Sequence, residues 1–68
     1  MGVINTIDLT GVSAESWSHA VHEALREASR TIRRISKVKV EGTSAMVEDG
    51  VITEYHTDVK IFFEVEQS

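Results

Sequence analysis

The sequence contains no cysteine and no proline. Without cysteine there can be no disulfide and no thiolate metal site, so two of the usual supports of a very small domain are missing. With 68 residues, the chain buries only about 60% of the surface its unfolded form exposes, and its own core is marginal. What remains is association with partners, or an ion held by oxygen or imidazole ligands. Basic excess is missing too. Seven Lys and Arg stand against eleven Asp and Glu, a net charge of −4, and a nucleic-acid partner would require a basic face. No apolar run approaches the roughly 20 residues of a membrane-spanning helix. The start lacks the basic-then-apolar pattern of a secretory signal, which makes a cytoplasmic protein the expectation. Repeats, low-complexity runs and linkers are absent, so residues 1–68 are expected to form a single domain.

What is present is regular. Val3 to Thr10 alternates, with Val3, Asn5, Ile7 and Leu9 on one face, and predicts a strand. Gly11-Val12-Ser13 is expected to end it, with Ser13 or Ser16 as helix N-cap. Trp17, Val21, Ala24, Leu25, Ala28, Ile32 and Ile35 recur at spacings of three and four, which predicts a helix from Ala14 to about Ile35 with one apolar stripe. Two alternating runs follow, about Lys37 to Glu48 and Val51 to Glu66, around an Asp49-Gly50 dipeptide suited to a two-residue hairpin. Pairing Glu48 with Val51 sets Val38 opposite Ile61 and Val40 opposite Val59 on one face. It sets Lys39 opposite Lys60 and Glu41 opposite Asp58 on the other. The fold class is therefore α+β, a βαββ unit with a three-stranded antiparallel sheet on one long helix.

The last strand implies assembly. Sixteen extended residues span roughly 50 Å, whereas a compact chain of this size has a radius of gyration of about 11 Å. One helix cannot cover that strand and two others, and apolar residues such as Val47, Ile52 and Phe62 remain on the far face. Uncovered apolar surface of this kind marks an interface.

Chemistry-bearing residues are sparse. His19 and His22 are three apart on the helix, within reach of one metal, but the surrounding residues do not form the metalloprotease pattern, and the plain reading is two solvated side chains. Glu41 and Asp58 repel if directly opposed. Lys39 and Lys60 are the plain compensation; a hard cation bound by oxygens is the sharper one. Trp17 reads as a core anchor at the head of the apolar stripe. No phosphate loop, nucleophile elbow or triad pattern occurs, so the chain is not expected to be an enzyme.

With this layout, the chain resembles the dodecins over nearly its whole length. These are small βαββ proteins that form hollow homododecamers and bind flavins. The resemblance rests on Gly11-Val12-Ser13 after strand one and on the aromatic Trp17 at the helix start. It continues through Ala20, Ala24, Ala28-Ser29, Thr31-Ile32-Arg33 and Val38-Lys39-Val40. It ends in the alternation Tyr55-x-Thr57-x-Val59-x-Ile61-x-Phe63-x-Val65. It implies a homododecamer, a storage or binding role for a small molecule, and a flavin (FMN or riboflavin) as ligand. At the two positions that the resemblance assigns to the ligand, this chain departs from the family. Lys37 stands where the family has the Trp that stacks on the ring, and His56 where it has the Gln that binds the ring's polar edge. Lys37 and His56 are thus the candidate ligand-binding residues, with a preference for phosphorylated over neutral ligands expected. The alternatives are a flavin-free variant holding calcium or magnesium through Glu15, Glu41 and Asp58, or a purely structural assembly.

Overall fold

The computed structural model describes residues 2–65. Strand β1 (Val3–Ser13) leads to helix α1 (Trp17–Ser29), and β2 (Ile35–Glu48) and β3 (Val51–Val65) follow. The three strands form one antiparallel sheet in the order β1-β3-β2, so β3 is central and the βαββ expectation holds. The hairpin turns at Asp49 and Gly50, whose φ values of 50° and 77° are both positive, as the tight turn that follows the strand twist requires.

Boundaries moved in two places. Gly11, Val12 and Ser13 do not break β1; they pair with Thr57, His56 and Tyr55. The helix spans 13 residues rather than the 22 expected. Its start is fixed by Ser16, whose side chain accepts the backbone N–H of His19 at 2.9 Å, while Ser13 Oγ accepts the N–H of Glu15 at 2.9 Å. At the other end the last turn tightens, the N–H groups of Arg30 and Thr31 reaching the Glu27 and Ala28 carbonyls at 3.2 Å. Ile32 and Ile35, counted as helical from the periodicity, still pack on the core, Ile35 doing so from β2.

Helix and sheet meet closely where the alanine row of the helix passes over Gly11. Ala20, Ala24 and Ala28 are buried, and Gly11 lies under the helix. A Cβ on Gly11 would stand 1.8 Å from the Ala20 carbonyl oxygen, so only glycine allows this approach. Behind that contact, Val59 and Ile61 are the large aliphatics fully buried in the core, supported by Ile7, Leu9, Val21 and Val38. Leu25, placed on the apolar stripe by its spacing, is only half-buried on the flank of the alanine row.

The β2–β3 register agrees with the expected one at Val38/Ile61, Lys39/Lys60 and Val40/Val59 and again at Val47/Ile52 and Glu48/Val51. Between these stretches it is shifted by one. Gly42, not Glu41, faces Asp58, and Met46 faces Glu54. A bulge at Thr53 in β3 introduces the slip, and a second at Glu41 in β2 removes it. The expected head-on pair of Glu41 and Asp58 is therefore corrected: the bulge relieves a like-charge pairing that a regular ladder would impose. Beyond the helix the two strands continue as a bare ribbon, and the molecule measures 54 × 19 × 13 Å. No helix among the described residues is long and apolar enough to cross a membrane.

Candidate functional site

The sheet has a covered face under the helix and an open face, and the open one carries the candidate residues other than Glu15. Lys37 lies opposite Phe62 across the β2–β3 pair. Its ammonium sits over the Phe62 ring, 4.2 Å from the centroid, a cation held on the electron-rich face of an aromatic. His56 lies between Val12 and Ser44, and its Nε2 is 3.0 Å from Glu54 Oε1. Lys37 and His56 share the open face but do not meet. Their levels on β3 are six residues apart, roughly 20 Å along an extended strand.

The acidic candidates divide in the same way. Thr10 Oγ1 donates to Asp58 Oδ1 at 2.7 Å, and Glu41 Oε1 lies 3.7 Å from Lys60 Nζ. With Asp8, Thr10, Leu9 and Val59 they line an open depression of about 340 Å³. Glu15 is elsewhere, after β1, with Oε2 3.4 Å from His19 Nδ1. Among the described residues no group of three or more His, Asp or Glu side chains is arranged to hold a metal ion. His19 is engaged by Ser13 Oγ, 2.7 Å from Nδ1, and by Glu23, 3.5 Å from Nε2; the adjacent His22 is exposed.

Two features were not read from the sequence. Trp17 is 40% exposed and is no core anchor. Its Nε1 donates to the Ser44 carbonyl at 2.8 Å, and its ring meets Tyr55 edge-on with centroids 4.7 Å apart. It thereby braces the root of the bare ribbon, with the buried Thr57 hydroxyl donating to the Trp17 carbonyl at 3.0 Å. The second feature is a groove of about 250 Å³ at the other end of β3, lined by Ile32, Arg33, Arg34, Phe63 and Val65 together with Glu64 and Thr31. The Lys37–Phe62 pair was available from the hairpin register; the groove was not, because it forms only once the helix stops at Ser29 and the chain turns back.

A family model described as Dodecin matches residues 3–66. No curated protein matches the chain. Among solved structures, the chain is similar to dodecin from Streptomyces coelicolor, with 25% identity, a TM-score of 0.94, and 98% of this chain and 96% of that one covered. A protein from Thermus thermophilus is 24% identical with a TM-score of 0.94 over 100% of both chains, a likeness of fold. The calcium-chelating immunodominant antigen of Mycobacterium tuberculosis, a calcium dodecin with a novel calcium-binding site, is 28% identical with a TM-score of 0.84, covering 97% of this chain and 94% of that one.

Proposed function

The chain belongs to the dodecin family, and from that premise we propose that it is a cytoplasmic, non-catalytic subunit of a hollow homododecamer that holds a small ligand, preferring phosphorylated compounds to neutral flavin. The observation that carries this reading is the Lys37 ammonium over the Phe62 ring. The position that the resemblance gives to a stacking aromatic holds a hydrated, flexible cation instead. Burying an ammonium under a neutral ring system carries a desolvation cost, whereas a phosphate compensates its charge. Lys37 and His56 are the residues assigned to the ligand. Because they are far apart within one subunit, a ligand that touches both does so where subunits meet, which ties binding to assembly.

Fluorescence titration with riboflavin and with FMN tests the reading. The expected result is weak or absent quenching of riboflavin and stronger quenching of FMN. Lys37→Trp together with His56→Gln is expected to recover riboflavin binding. Tight riboflavin quenching by the unaltered protein would overturn the proposal and restore an ordinary flavin-storage role.

A second reading is a cation-binding subunit. It is favoured by the depression that brings Glu41 and Asp58 beside Asp8 and by the likeness to a calcium dodecin. Glu15 would join these ligands only from another subunit. Calorimetric titration with calcium and magnesium separates the readings: saturable calcium binding lost in Asp58→Asn favours the cation, and no heat beyond dilution removes it.

A further inference from the structure

Six of the seven Lys and Arg of this chain are confined to one part of it, the exception being Lys60. Residues 26–39 hold these six, Arg26, Arg30, Arg33, Arg34, Lys37 and Lys39, with one carboxylate, Glu27. Residues 40–58 hold none, but five carboxylates, Glu41, Glu48, Asp49, Glu54 and Asp58. The fold turns this separation along the chain into a separation in space. The hairpin tip, Glu48 and Asp49, precedes Val51 at one end of β3, and the Arg33–Arg34 groove surrounds Val65 at the other. The two ends are opposite poles of a molecule 54 Å long.

Apolar surface follows the same division. Around the acidic turn, Val47 is 59% exposed, Val51 63% and Ile52 44%. An unsupported two-stranded ribbon with such a surface is marginal in water and needs cover. The groove at the far pole offers Ile32, Phe63 and Val65 beside its two arginines. Arg33 and Arg34 outweigh the one carboxylate of the lining, Glu64, so the groove complements the tip in polarity and in sign of charge.

The geometry points to a head-to-tail contact in which the hairpin tip of one copy seats in the Ile32–Arg33–Arg34–Phe63–Val65 groove of the next. Val47 and Ile52 enter the apolar part of the groove while Glu48 and Asp49 meet the guanidinium groups. The poles of one chain are too far apart to meet each other, so the contact joins copies. Being heterologous, it uses two different patches and closes into a ring when the rotation between copies permits. This inference rests on the assembly reading above and specifies one of its contacts.

Charge reversal tests it. Glu48→Arg alone and Arg33→Glu alone are expected to cause loss of the assembled species in native mass spectrometry at physiological salt, and the double variant to regain it. Circular dichroism checks that each variant retains its fold. The absence of native cysteine allows an independent measurement. A chain carrying Glu48→Cys and Thr31→Cys, treated with a short bismaleimide, is expected to give covalently joined copies. Intact assembly in both single variants, with no joined copies on cross-linking, would overturn this contact and leave the assembly reading standing. A monomeric unaltered protein would overturn both.

Discussion

At Gly11 and Ser16 single atoms decide how the helix sits. The absent side chain of Gly11 lets the Ala20 carbonyl lie where a Cβ would be, at 1.8 Å. Gly11→Ala must push the helix off the sheet, and overpacking of this kind costs about 1–3 kcal/mol. Thermal unfolding should show a clear fall in melting temperature, and an unchanged midpoint would mean that helix and strand part easily. Ser16 acts differently, by satisfying an orphan donor at the helix start. Ser16→Ala is expected to cost about 0.5–2 kcal/mol, measured by urea denaturation. Leu25→Ala, by contrast, should cost less than the roughly 2–5 kcal/mol of a fully buried leucine, since Leu25 is half-buried.

At the scale of elements, the sequence was legible where one rule acted alone. Asp49-Gly50 and the alternation around it identified the hairpin, and the pairing was right near the turn and in the core. It failed between Gly42 and Met46 because two bulges compensate each other, and a pattern of period two cannot show a slip that is later undone. The helix was read too long for a related reason. Ile32 and Ile35 have helical spacing and do reach the core, but from a turn and a strand. Periodicity reports which residues face inward, not the backbone that carries them there. Of the candidate site, Lys37 and His56 were legible only as departures from a family pattern; the groove at Arg33 depends on where the helix stops. Deleting Glu41 tests whether the β2 bulge is needed. Gly42 would still face Asp58 and Val40 would still face Val59, now as consecutive pairs of a regular ladder, so hydrogen-exchange protection at Val38 to Val40 should be retained. Faster exchange there would show that the bulge itself holds the pairing.

The whole molecule is poorly suited to life alone. Its radius of gyration is 14.0 Å, against about 11 Å for a compact chain of this length, and Val59 and Ile61 are the large aliphatics fully enclosed by its core. The ribbon residues make this testable. In an isolated subunit, Val51, 63% exposed, could become lysine with an effect within about 0.5 kcal/mol, the usual range for a surface site. In an assembly that covers the ribbon, the same Val51→Lys leaves an unpaired charge at a buried apolar contact and weakens association. Association contributes stability by mass action, so the unaltered protein should melt at a higher temperature as its concentration rises. Val51→Lys should lower the midpoint most at high concentration and flatten that dependence. Differential scanning calorimetry across a wide concentration range reads both effects. If the midpoint is independent of concentration and Val51→Lys is silent, the subunit is stable by itself, and the long third strand needs a different explanation.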